Sequence, residues 1–152
     1  IIVFYDGIEF SKEELVDKFP SRSEDFINNL QQSSLNGVLK EADIVSIHIP
    51  LLEETQNLIS VDELACLKKD VRIINTSRGG IVDEKALEDF LNQNKNAFAA
   101  FDVFETEPAF NHPLLKLNNF YATSHLGSMT IEGVISMGIA AINGLDENRI
   151  PL

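Results

Sequence analysis

The run Val71-Arg72-Ile73-Ile74-Asn75-Thr76-Ser77-Arg78-Gly79-Gly80-Ile81-Val82-Asp83 decides how the chain is read. Val71 to Ile74 is mostly β-branched and reads as a buried strand. Asn75 to Gly80 holds only polar residues and glycine, the composition of a turn. Asp83 then serves as an N-cap, opening a helix that runs to about Asn92. Strand, polar turn and helix in that order make one crossover unit of a parallel sheet.

The same unit repeats on both sides. Upstream, Asp43 to Ile49 is a strand stopped by Pro50, and Ser60 with Glu63 caps the helix that follows. Downstream, Ala97 to Phe101 and Phe120 to Thr123 are strands, and a last helix runs from near Thr130 to about Asn143. At the start, Ile1 to Tyr5 reads as a strand ending at Asp6-Gly7. Capping boxes at Ser11/Glu14 and Ser21/Glu24 start helices over roughly 12–18 and 22–32, and a short helix over 35–41 leads into the strand at Asp43. Helical stretches separate the strands, so they cannot pair as hairpins. The apolar strands suit a parallel sheet covered on both faces. In such a sheet, ligands bind at the carboxyl ends of the strands.

Composition narrows the function. The 152 residues suit one domain with a real core. A net charge of -12 repels phosphate backbones, which argues against nucleic acid as a partner. It leaves room for an anionic substrate, because exposed charges are screened beyond roughly 10 Å. No apolar run approaches the ~18 residues that span a bilayer, so no membrane partner is expected. The single cysteine, Cys66, beside Leu64 and Leu67, reads as a small core residue; one cysteine fits a reducing, cytoplasmic compartment. No metal site is expected.

The strand ends carry the candidate chemistry. Asp6, ending the first strand, is either a turn residue before Gly7 or a carboxylate for the hydroxyls of a nucleotide ribose. Arg78 lies between a strand end and two glycines, where packing does not explain it; its planar fork suits a carboxylate. Asp102, Glu105 and Glu107 cluster after the fourth helix-separated strand, and Pro108 rigidifies the chain just after Glu107. His125, at a strand end beside Gly127, is a candidate general acid or base. The other histidines read as structural: His112 in a turn, His48 lining a cleft.

Four stretches together resemble the D-isomer-specific 2-hydroxy acid dehydrogenase family, which includes phosphoglycerate, glyoxylate and hydroxypyruvate reductase-like enzymes. They are Ala42 through Leu51, Ile74 through Asp83, Asp102 through Pro108, and Ser124 through Gly127, with His112-Pro113-Leu114-Leu115 as a further match. The resemblance is strong over residues 40–152 and weak over 1–39. It implies an oxidoreductase that moves a hydride between NAD(H) and a small D-2-hydroxy or 2-oxo acid. It implies Arg78, Glu107 and His125 as the catalytic set: Arg78 on the substrate carboxylate, His125 carrying the proton, Glu107 favouring the imidazolium. It places Asp6 on the adenosine ribose, Thr76 and Ser77 along the nicotinamide pocket, and Asp102 at the carboxamide. Pro50, Arg78, His125, Gly127 and Ser128 complete the implied cofactor contacts.

No Gly-x-Gly-x-x-Gly occurs in the chain. The expected fold is therefore α/β, a partial Rossmann-type doubly wound parallel sheet lacking the first strand and its glycine-rich turn. Residues 1–152 would be part of an NAD-binding domain with a C-terminal helix, the substrate domain being absent. In the order 3-2-1-4-5-6 a missing first strand leaves a central gap unless something repairs it. The full-length enzyme would be a homodimer. Two other readings are an NAD-sensing, corepressor-like binding module and a catalytically inert fragment of an active parent.

A carboxylate at Asp6 disfavours a 2′-phosphate. NADH should therefore support turnover much better than NADPH, and Asp6→Ala should narrow the gap in parallel steady-state assays. Equal use of both cofactors by the unaltered protein would contradict the ribose assignment.

Overall fold

The computed structural model describes residues 2–6, 10–18 and 22–147. In chain order its elements are β1 (Ile2–Phe4), α1 (Lys12–Lys18), α2 (Glu24–Asn28), β2 (Leu30–Gln32), α3 (Leu35–Glu41), β3 (Ile44–Ile47), α4 (Val61–Cys66), β4 (Arg72–Asn75), α5 (Glu84–Gln93), β5 (Phe98–Phe101), β6 (Phe120–Ala122) and α6 (Ile131–Glu147). Short 3-10 turns cover Glu53–Thr55 and Pro113–Lys116. Every strand pairing among the described residues is parallel.

Register shows where the core sits. Val45, Ile73, Ala99 and Phe120 stand side by side across β3–β6, and Ile47, Asn75, Phe101 and Ala122 form the next row. Side chains alternate between faces along a strand. These rows therefore share one face, and all but the half-buried Ala122 are buried. Leu39, Leu64, Leu87 and Leu91, from α3, α4 and α5, join the same apolar cluster. The opposite face is less covered. Ile44 is 63% exposed and Tyr121 61%, while Ile74 and Ala100 between them are half-buried. Among the described residues the cover on this face is thus thinner at β3 and β6 than over the central strands.

The strands form two sheets, β1-β2 and β3-β4-β5-β6. Between β1 and β3 lies a cleft of about 450 Å³, lined by Phe4, Leu39, Val45, Ile47 and Ile59 among others. The expected central gap is therefore present, with an apolar floor and without a strand from the described residues to bridge it.

Helix and strand limits mostly follow the sequence. Ser11 and Glu14 exchange hydrogen bonds as a capping box, as do Ser60 and Glu63. Asp83 caps α5 through the Ala86 amide at 2.9 Å. The region after α1 departs from expectation. The helix expected over 22–32 is only Glu24–Asn28, and Leu30–Gln32 is instead β2, paired with β1. Ser23 caps that helix through the Phe26 amide; Ser21, expected in this role, lies outside the described residues, as do Ile1 and Gly7. α6 extends past the expected Asn143 to Glu147, and Ile131, Ile135, Ile139 and Ile142 on it are exposed. No described helix is long and apolar enough to cross a membrane.

Among the described residues β4 and β5 are flanked on both edges, whereas β1 and β2 have one partner each. Local opening follows such differences. Native-state hydrogen exchange should show β1 and β2 amides exchanging well before those of β4 and β5; equal protection in both sheets would show that the cleft does not separate two cooperative units.

Candidate active site

Three strand ends meet through their backbones. The Asp102 amide donates to the Asn75 carbonyl at 2.9 Å, and the Thr123 amide to the Phe101 carbonyl at 3.0 Å. The polar loops after β4, β5 and β6 therefore start from neighbouring points on the same edge of the sheet.

After β4, Asn75 is fully buried and organises the turn. Its Oδ1 accepts from the Ser77 amide and hydroxyl at 3.1 and 2.9 Å, and its Nδ2 donates to the Arg78 carbonyl at 2.9 Å. Three of the four hydrogen bonds that a buried amide can make are thus spent on shaping residues 77–78. The exposed Arg78 side chain donates through Nη1 to the Ser77 carbonyl at 2.6 Å and makes no ion pair with a carboxylate among the described residues. At Gly79, a Cβ would stand 1.9 Å from the Phe104 carbonyl carbon, so only glycine lets the two loops touch. Gly80 has φ +78°. The Arg78 loop and the loop after β5 are therefore packed backbone to backbone.

After β5, Asp102 is buried, at 6% exposure. Its Oδ1 accepts from the Leu126 amide at 2.7 Å and from the Thr123 hydroxyl, and its Oδ2 from the Gly127 amide at 2.7 Å. Burial pushes this carboxyl up, but the hydrogen bonds from Thr123, Leu126 and Gly127, with the nearby His125 charge, outweigh it and hold the carboxyl below its ordinary range. Both oxygens grip the loop after β6. That loop carries His125 at φ +58°, a left-handed conformation uncommon outside glycine. Such strain persists only where the surroundings hold it, and Asp102 is what holds it here.

Glu107 completes the cluster. Its Oε2 accepts from His125 Nδ1 at 2.8 Å and its Oε1 from the Phe104 amide at 3.0 Å. These two hydrogen bonds, the histidine first, hold the Glu107 carboxyl below its ordinary range. An ionised Glu107 can only accept, so Nδ1 carries the proton and Nε2 is the nitrogen left to exchange one.

Sequence reasoning placed Glu107 and His125 in one site, and the structure brings them into contact. Glu105 is exposed, and its backbone amide donates to Glu84. Thr76, Pro50 and Ser128 are exposed, and Gly127 holds Asp102 through its amide. Asp102, expected at a cofactor carboxamide, has both oxygens occupied by the protein. Asn75, Thr123 and Glu84 were not singled out from the sequence: Asn75 acts on the backbone two and three residues on, which its residue type alone does not announce, while Thr123 and Glu84 find their partners across chain crossings. His112, read as a turn residue, caps the 3-10 turn at Pro113 and also reaches Glu84.

A second cleft, of about 570 Å³, is lined by His48, Ile49, Pro50, Leu51, Ser77 and Arg78. It shares His48 and Ile49 with the cleft beside Asp6. The two lie side by side near the carboxyl ends of β1, β3 and β4, between Asp6 and Arg78. A third hollow of about 460 Å³ flanks Glu107 and His125 and is otherwise largely apolar, with Phe104, Phe110 and Leu115 in its wall.

Fold and site together define a parallel nucleotide-binding sheet with a carboxylate–imidazole pair at its carboxyl edge. Residues 14–127 match the D-isomer specific 2-hydroxyacid dehydrogenase, NAD binding domain, and the chain belongs to that family. It is 43% identical over 123 residues to a glyoxylate reductase of Thermofilum pendens, covering 80% of this chain and 36% of the relative. Against a hydroxypyruvate reductase of Thermotoga maritima it is 40% identical over 111 residues, covering 71% and 36%. The crystal structure of a glyoxylate reductase from Paecilomyes thermophila superposes with a TM-score of 0.80 at 30% identity, over 95% of this chain and 40% of that one. The chain thus spans little more than a third of these relatives' length.

The two depressed carboxyls fix a pH dependence. Their ordinary values are 3.8 for Asp102 and 4.5 for Glu107. A folded value below the unfolded one adds stability that is present above the unfolded value and lost as pH falls through the folded one. The urea midpoint should therefore drop as pH is lowered from neutral to about 3. Asp102→Asn should flatten that drop and, by setting amide hydrogens against the Leu126 or Gly127 N–H, cost about 1–3 kcal/mol at neutral pH. Parallel curves for the two proteins would show that Asp102 is not ionised by these contacts.

Proposed function

We propose that the whole protein interconverts a small 2-oxo acid and the corresponding D-2-hydroxy acid with NAD(H). The observation that carries this reading is the hydrogen bond from His125 Nδ1 to Glu107, which fixes the tautomer and leaves Nε2 for the substrate. In the reductive direction a protonated His125 donates from Nε2 to the 2-oxo oxygen; in oxidation it takes the hydroxyl proton back. Glu107 stabilises the imidazolium at each visit. Arg78 carries the one guanidinium on this edge's loops and would pair with the substrate carboxylate, its planar fork also reaching the 2-oxo oxygen.

NADH would supply the hydride in reduction, and NAD+ would accept it in oxidation. Asp6 would hold the adenosine ribose; Pro50, Thr76, Ser77 and Arg78 would line the nicotinamide end, with His125, Gly127 and Ser128 facing it. For Asp102 the geometry favours support of the His125 loop over a direct carboxamide contact. Glyoxylate and hydroxypyruvate are the substrates to try first, given the names of the relatives. In the same reading residues 1–152 are part of an NAD-binding domain completed by a central strand and a substrate domain. The open β1–β3 cleft and the share of the relatives covered support that. A cytoplasmic homodimer is the form we assign to the whole protein, in line with the single cysteine of these 152 residues and the exposed apolar side chains of α6.

His125→Asn should lower kcat for glyoxylate reduction by about 10²–10⁴-fold with little change in NADH affinity. Arg78→Lys keeps the charge but loses the fork, and should raise KM for glyoxylate as well as lowering kcat. Near-normal turnover in His125→Asn would sink the proton-transfer role. NAD binding without turnover of any 2-oxo acid by the intact protein would favour the binding-module reading.

A further inference from the structure

Glu84 is the first residue of α5, and a carboxylate there is favourable to the helix macrodipole on general grounds. Its contacts say more than that. Asp83 already caps the helix through the Ala86 amide. The Glu84 side chain, only 10% exposed, turns instead to the loop after β5. Oε1 accepts from the Glu105 amide at 2.7 Å, and Oε2 meets His112 Nε2 at 2.9 Å. The other ring nitrogen of His112, Nδ1, accepts from the Leu114 amide at 3.3 Å. Since Nδ1 accepts, the ring proton sits on Nε2 and is donated to Glu84. One carboxylate thus grips the loop two residues before Glu107 and five residues after it.

A second observation points the same way. Gly79 packs directly on the Phe104–Glu105 peptide, and the Phe104 ring lies 5.3 Å from the His112 ring, centroid to centroid. The Phe104 amide is in turn a donor to Glu107. The segment that aims Glu107 is therefore clamped at both ends to the helix that follows the Arg78 loop.

We propose that Glu84 is a positioning residue that, with His112, holds Glu107 against His125 and ties the Arg78 loop to the acid–base pair. The inference rests on the dehydrogenase reading for its kinetic consequence, though not for its geometry.

The test compares Glu84→Ala and Glu84→Gln in the full chain. Glutamine keeps an oxygen for the Glu105 amide and loses the acceptor for His112; alanine loses both. Long-range ¹H–¹⁵N correlation spectra of the His125 ring, taken where the ring is neutral, report which nitrogen carries the proton. The unaltered protein should show the Nδ1–H form. Glu84→Ala should shift the ring toward Nε2–H and lower kcat roughly 10–100-fold, the scale of a small misplacement, with KM for NADH unchanged. Glu84→Gln should recover most of both. Where Glu84→Ala does not fold, His112→Ala should give an intermediate tautomer shift, since the Glu105 bond survives it. A folded Glu84→Ala, or in its place His112→Ala, with unaltered tautomer and kcat would overturn the proposal, even if it were less stable. Absence of turnover of any 2-oxo acid by the unaltered protein would instead remove the dehydrogenase reading, and the tautomer measurement would still decide the positioning role.

Discussion

The buried carboxylate of Asp102 is the interaction on which the site depends. It sits where β5 ends and binds the chain just past β6 through two backbone amides and a hydroxyl. A buried charge is costly unless it is paired or fully hydrogen-bonded. Three donors meet that requirement and define where residues 123–127 must run. His125 is thereby held in a left-handed backbone conformation that its own preferences disfavour. Removing the anchor would free His125 to relax, and the contact with Glu107 would go with it.

The rest of the edge is organised in the same manner, by side chains whose polar atoms are committed to backbone. Asn75 shapes the turn that presents Arg78, and Phe104 donates its amide to Glu107. These loops are rigid because the groups shaping them are buried or clamped by neighbouring backbone, while Arg78, Glu107 and His125 remain exposed to solvent. Preorganisation of this kind leaves little rearrangement for the moment of proton transfer.

Much of this was legible in the residues. The strand–turn–helix units from β3 to β6 follow from β-branched or aromatic runs and from caps at Ser60 and Asp83, which are local signals. Arg78, Glu107 and His125 stood out because polar residues at the ends of parallel strands have few structural reasons to be there. β2 did not stand out, because Leu30-Gln31-Gln32 has neither a β-branched nor an aromatic residue and becomes a strand only by pairing with β1. Ser23 displaced Ser21 as the cap of α2, a shift of two residues among several serines. Glu84 and His112 meet across 28 positions of sequence, and no periodicity announces such a contact. Asp102 showed as an acidic strand end, but its partners come from the far side of the β6 crossing.

The account's central claim is that Glu107 and His125 act as one unit. A double-mutant cycle on kcat for glyoxylate reduction, with Glu107→Gln, His125→Asn and the double variant in the intact protein, tests it most directly. If Glu107 works only through the imidazole, the double variant will be no slower than His125→Asn alone. Multiplication of the two single losses would show that the residues act independently and would contradict the claim.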